Sequence, residues 1–161
     1  MHELNIPDSG NKPEFYAELR IQLEALLDGE TDLIANTANM ASLLYHALPD
    51  VSWAGFYFLK HTELVLGPFN GKPACVRIPL GKGVCGSVAA TRKPLVVKDV
   101  HAFPGHIACD AASRSELVVP LVRGVQLLGV LDLDSPVPGR FDEEDREGCQ
   151  NLGETLLRSL E

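Results

Sequence analysis

Two apolar, strand-like runs, residues 116–122 and 126–134, flank Arg123-Gly124 and leave this chain little alternative to an antiparallel hairpin. In the first run Leu117, Val119 and Leu121 share one face, and Glu116 takes the other. In the second, Leu127, Leu131 and Leu133 share a face opposite Asp132 and Asp134. Cross-strand partners point to the same side of a sheet. The apolar sets therefore coincide only if paired residue numbers sum to an even value. An odd-length connection such as Arg123-Gly124-Val125, with a bulge, meets that condition. Glu116 then falls near Asp132, on the side that also carries Asp134, whereas a tight two-residue turn would split the acids. Val118, Val122, Leu128 and Val130 line the acid side too, so that side is expected to be covered.

The rest of the chain supplies a sheet around this hairpin and helices to cover it. Asn11 or Ser9 can cap a helix running to about Asp28, with Pro13 in its first turn and a stripe of Phe15, Leu19, Leu23, Leu26 and Leu27. A second helix ends near Leu48, with Thr37, Met40, Ala41, Leu44, Tyr45 and Leu48 at helical spacing. Residues 51–59 and 64–66 read as strands joined by His61-Thr62-Glu63, and residues 67–73 as a loop. A short strand over 75–78, a helix over 84–91 and a strand over 95–97 follow. Residues 99–113 show no periodicity, and loops of that length are commonly functional. Asp142 caps a final helix, on whose apolar stripe Cys149 joins Leu152, Leu156 and Leu160. The order ααββ(β)αβββα predicts an α+β fold: one domain over residues 1–161, a central antiparallel sheet, and packed N- and C-terminal helices. At 161 residues the chain is long enough for a substantial core.

Charge and hydropathy exclude several functions. A net charge of −8 without a basic cluster argues against nucleic acid, whose binding depends on Lys and Arg at the phosphates. No apolar run reaches membrane-spanning length, and the N-terminus has no signal-peptide pattern, so a cytoplasmic location is expected. In that compartment the four cysteines are expected to be reduced, catalytic or buried. Nine residues separate Cys75 from Cys85 and 23 separate Cys85 from Cys109, which match no zinc pattern, so neither metal nor cofactor is expected.

What remains is thiol chemistry beside acids. Cys109 sits in the aperiodic stretch, Cys75 and Cys85 flank a Gly-rich turn, and Glu116, Asp132 and Asp134 follow on the hairpin. A thiol can act as nucleophile, a second thiol can resolve it into a disulfide, and carboxyls can bind an amine or donate a proton. The combination points to redox chemistry on a small polar substrate. Each residue also has a plainer reading. Cys75, Cys85 and Cys109 suit buried small hydrophobes, Asp132 a solvent-facing strand acid, and Trp53 core. His101 and His106 suit loop-organising hydrogen-bonders, with a general base at His106 as the alternative. Gly81-Lys82-Gly83 lacks P-loop spacing and reads as a turn.

The segments Trp53-Ala-Gly-Phe-Tyr57, Leu66-Gly-Pro-Phe-Asn-Gly-Lys-Pro-Ala-Cys75, Ile78-Pro-Leu-Gly-Lys-Gly-Val-Cys85-Gly, Asp99 through Cys109 to Glu116, Gly129-Val-Leu-Asp-Leu-Asp-Ser-Pro136 and Arg140-Phe-Asp142 together resemble the free methionine-(R)-sulfoxide reductase family, a catalytic branch of the GAF-domain fold. The likeness spans roughly two-thirds of the chain with its motifs in order. It implies Cys109 as nucleophile, Cys75 as principal resolving cysteine and Cys85 as auxiliary. It also implies Glu116, Asp132 and Asp134 as pocket acids and Trp53 and Tyr57 as pocket aromatics. The implied partners are free methionine (R)-sulfoxide and thioredoxin as reductant; a homodimer stays open.

One tension follows. Carboxylates near Cys109 would raise its pKa, and an ordinary thiol is only a few per cent ionised at pH 7. Crowding can keep one carboxyl neutral as a proton donor, and the substrate's ammonium can offset the remaining charge. The alternative function is a non-catalytic GAF sensor, which would be expected to carry an output domain. A third reading, a dimerisation module built on the two N-terminal helices, explains none of the cysteines or acids.

Overall fold

The computed structural model describes residues 2–161. Its elements are α1 (Lys12–Leu27), α2 (Leu33–Ala47), β1 (Trp53–Lys60), β2 (Glu63–Asn70), β3 (Arg77–Pro79), α3 (Gly83–Thr91), β4 (Leu95–Val97), β5 (Ser115–Arg123), β6 (Gln126–Ser135) and α4 (Glu143–Ser159). The strands form one antiparallel sheet in the order β3-β2-β1-β6-β5-β4. The expected α+β architecture is the one found.

Helix ends follow the sequence signals. The Asn11 side chain accepts from the Glu14 amide at 2.9 Å, and Asp32 accepts from Ala35 at 2.8 Å. Asp142 and Asp145 form a reciprocal capping box on α4. Asp145, 1% exposed, also accepts from the Tyr16 hydroxyl at 2.7 Å and from Lys12 at 2.7 Å. This ties α1 to α4. Tyr16, which the predicted stripe omitted, is thereby one of the buried residues of α1.

The two faces of the sheet are covered differently. Leu19, Leu23, Met40, Leu44, Cys149, Leu152 and Leu156 of α1, α2 and α4 pack on Phe56, Leu117, Leu121, Leu131 and Leu133. Cys149 is fully buried, as its helical stripe implied. The opposite face carries Trp53, Tyr57, Val118 and Val130 under α3 and the loop that follows β4.

Three sequence expectations need correction. Residues 67–70, read as loop, continue strand β2, and Phe69 and Asn70 pair with Gly55 and Ala54. A register shift opposite Phe56 absorbs Gly67 and Pro68, so a proline without an amide is tolerated inside the strand. The strand placed at 75–78 is Arg77–Pro79 instead. The hairpin connection is also not odd-length. Arg123 pairs with Gln126 across Gly124-Val125, and Gly124 has φ 62°, the positive first position of a type II′ turn.

Parity is restored beyond the turn. A register shift after Val122↔Leu127 brings Leu121 opposite Gly129, and every later pair sums to an even value. The bulge at Leu128 reverses the alternation of what precedes it. Leu127 therefore packs on the acid side and Leu128 against the helical side, the reverse of expectation.

Gly129, beside that bulge, leaves no room for a side chain against β1. A Cβ there would lie 2.0 Å from the Tyr57 carbonyl oxygen and 2.9 Å from Phe58 Cα. Gly129→Ala must push backbone against backbone, and about 2–3 kcal/mol of destabilisation is expected. Urea denaturation checks this, and an unchanged midpoint would show that β1 and β6 can separate freely.

Candidate active site

Three adjacent strands present their functional side chains on one side of the sheet. On β1, Trp53 and Tyr57 share that side with Gly55; on β6 it carries Asp132 and Asp134, and on β5 Glu116. Glu116 lies directly opposite Asp134, which in turn lies opposite Trp53, while Asp132 lies opposite Gly55. The expected grouping of the three acids is present: Glu116 has Asp134 as its cross-strand partner and lies near Asp132, their oxygens within 4.8 Å. These groups, Cys85 from α3 and Cys109 from the loop after β4 line a small cavity of about 50 Å³. The eight residues that the resemblance implies meet at this place, Cys75 through its bond to Cys109.

The sulfurs of Cys75 and Cys109 are joined in a disulfide with Cα atoms 5.5 Å apart, within the ordinary range. Cys85 is a free thiol, buried, and it points to Glu116 Oε1 at 3.8 Å. The aromatic wall is held from behind. The Trp53 indole donates to the Lys72 carbonyl at 3.1 Å and stacks on Phe69 with centroids 5.2 Å apart. The Tyr57 hydroxyl donates to the Cys75 carbonyl at 2.9 Å. Burial, then the charge of Asp132, raises the Tyr57 pKa, so it stays a neutral donor.

The acids are crowded and mostly desolvated; Glu116 is 7% exposed and Asp132 6%. Burial first, and then the charge of Asp132, pushes Glu116 and Asp134 well above the carboxylate range. Burial also lifts Asp132, to about 6, opposed by hydrogen bonds from its neighbours. Asp132 Oδ1 has no partner if all three are ionised. A proton on Glu116 or Asp134 supplies the missing donor, in keeping with the upward direction in which burial and Asp132 push both groups. Burial, followed by Asp132 and Glu116, also raises the Cys85 thiol, which stays protonated.

Sequence spacing did not foresee that Cys85, Glu116 and Asp132 would place three donor atoms within 4.8 Å of one another. A thiol with two carboxylates could hold a borderline-soft divalent ion such as zinc. Protons shared within the set satisfy the same atoms. Ser113 was missed altogether; its hydroxyl is buried without a hydrogen-bond partner and lines the cavity. Its only signal was membership of the motif between Cys109 and Glu116. Lys72 and Asp110 also line the cavity without having been singled out, as does Lys82, which was read only as part of a turn. His106 lines it too, and burial together with His101 lowers its pKa, favouring neutral imidazole.

The chain resembles known proteins along almost its whole length. The GAF domain family model matches residues 22–159. The chain is 56% identical over 150 residues to the free methionine-R-sulfoxide reductase of Escherichia coli, covering 93% of this chain and 91% of that protein. It is 40% identical over 164 residues to the Saccharomyces cerevisiae protein of the same name, covering 97% and 91%. The crystal structure of the free methionine-R-sulfoxide reductase of Neisseria meningitidis in complex with its substrate superposes with a TM-score of 0.94 at 44% identity, covering 99% of this chain and 96% of that one. No helix among the described residues is long and apolar enough to cross a membrane. Matched in sequence and fold along almost the whole chain, this protein belongs to the GAF-domain family, in its oxidoreductase branch of free methionine-R-sulfoxide reductases.

Proposed function

We propose that this protein reduces free L-methionine (R)-S-oxide to L-methionine in the cytoplasm, with a thioredoxin-type dithiol as final electron donor. The observation that carries this reading is the Cys75–Cys109 disulfide at a cavity lined by Glu116, Asp132 and Asp134. In this scheme the Cys109 thiolate attacks the sulfoxide sulfur. Oxygen passes to Cys109, methionine departs, and Cys109 is left as a sulfenic acid. The Cys75 thiol condenses with that sulfenic acid, releasing water and forming the disulfide. A dithiol then restores both thiols.

The acids divide the remaining work. Sulfoxide sulfur becomes electrophilic when its oxygen is protonated or accepts a hydrogen bond, and a neutral Glu116 or Asp134 is suited to donate. Ionised Asp132 is suited to pair with the substrate's ammonium, offsetting the charge that would otherwise suppress thiolate formation. Trp53 supplies an apolar wall for the methyl-sulfur end. Cys85 serves as auxiliary thiol beside Cys109.

This division explains selection of a free amino acid. A peptide nitrogen carries no charge and leaves the buried acids without a cationic partner. Free (R)-sulfoxide is therefore expected to turn over at least about 10²-fold faster, by kcat/KM, than N-acetylated or mid-peptide sulfoxide. The (S) epimer is expected to be a poor substrate. NADPH consumption coupled through thioredoxin and thioredoxin reductase measures each case. Equal rates for free and N-acetylated substrate would overturn the assignment of the acids.

A further inference from the structure

We propose that the dithiol reductant docks on the outer face of the segment from Pro73 to Leu80 and attacks Cys75 rather than Cys109. The inference rests on the reading of the disulfide as a turnover product. Cys109 lines the cavity beside Asp110 and near the buried acids. The acids lining the cavity repel a thiolate that approaches from the Cys109 side. Cys75 stands at the other end of the same bond, half-buried like Cys109 but outside the cavity lining, with Pro73, Val76 and Arg77 exposed around it.

The segment is also made like a docking edge. Hydrogen bonds pin it from its inner side: Tyr57 to the Cys75 carbonyl at 2.9 Å, and the Leu66 amide to the Val76 carbonyl at 2.9 Å. It leads into β3, an edge strand of the sheet. Edge strands offer unpaired backbone groups to an extended partner. Val76 is 61% exposed and Leu80 37%, so two large apolar side chains flank this edge. Lys72 and Lys82 give the neighbourhood a basic character on a chain of net charge −8. An acidic partner face can approach here without the repulsion it meets elsewhere.

The electrons follow from the geometry. A reductant thiolate bonds to Cys75 Sγ, the Cys75–Cys109 bond breaks, and its electron pair leaves on Cys109, which takes up a proton or remains as thiolate. The reductant's second thiol then attacks its own sulfur in the mixed disulfide. Cys75 is released as a thiol and the reductant leaves as a disulfide, with two electrons transferred.

The test uses thioredoxin whose second active-site cysteine is replaced by serine, which halts exchange at the mixed disulfide. Peptide mapping is expected to find the adduct on Cys75; an adduct on Cys109 or Cys85 would overturn the proposal. Val76→Ser combined with Leu80→Ser is expected to lower kcat/KM for thioredoxin about tenfold. Turnover driven by dithiothreitol should stay within about twofold, because both side chains lie outside the cavity. No loss with thioredoxin, or equal loss with both reductants, would remove the docking face. Wild-type protein that turns over with dithiothreitol yet forms no Cys75 adduct also refutes the docking proposal while leaving the reductase reading intact. Failure with dithiothreitol itself would strike the reductase reading.

Discussion

Replacing Cys109 with serine is expected to abolish methionine release even in a single turnover, by on the order of 10⁴-fold or more. A hydroxyl at neutral pH is far less nucleophilic than a partly ionised thiol. Cys85 shares the cavity but cannot substitute, because burial and the facing acids hold it protonated. The other cysteines should separate by role. Cys75→Ser should release about one methionine per protein and then stall as a sulfenic acid when thioredoxin is the only reductant. Cys85→Ser should have a smaller effect. Cys149→Ser places a hydroxyl in the helical core, with only the Tyr16 hydroxyl 3.9 Å away, and should cost stability of about 1–3 kcal/mol with little change in turnover. Methionine released per protein without reductant, followed by disulfide mapping, measures all four. A stoichiometric burst from Cys109→Ser, or a dominant disulfide that omits Cys109, would overturn the assignment.

Neutralising Asp132 is expected to separate function from stability. Asp132→Asn removes the charge assigned to the substrate ammonium, and kcat/KM should fall about 10²-fold. The pH dependence follows from the raised value of about 6. Asp132 is ionised above it and neutral below, so wild-type kcat/KM should decline as pH falls through about 6. That limb should vanish in the variant. Stability runs the other way. A folded-state pKa above the unfolded value means that the folded protein binds more protons, so this contribution is fully present below about pH 4. It is lost as pH rises through about 6. Above pH 6, Asp132→Asn should therefore melt no lower than wild type while losing activity. Glu116→Gln and Asp134→Asn should also fold, and at least one should lower kcat at saturation, marking the proton donor. Native kinetics in all three variants would remove the acid set from the mechanism.

The elements were legible because their signals are local. Asn11 and Asp142 cap helices through side chains acting within three residues, and strand β4 was read to the residue because Pro94 and the turn after Val97 bound it. The second half of strand β2 escaped because Gly67-Pro68 looks like a break, and only pairing with β1 across a register shift turns it into strand. The sharing of one face by Glu116, Asp132 and Asp134 could be argued from alternation and parity. How that parity arises could not, because a bulge at Leu128 is chosen by the fit of β6 against its neighbours and leaves no pattern of its own. The sequence by itself determined the α+β class, the helix caps, the identities of the thiols and acids and their order along the chain. Tertiary structure alone decided that Cys75 and Cys109 lie 5.5 Å apart at Cα, that Cys85 points at Glu116, and that Ser113 faces the cavity without a partner. These are relations between groups far apart in the chain. Burial and mutual charge, which set the protonation of the acids, exist only once packing has brought those groups together and excluded water.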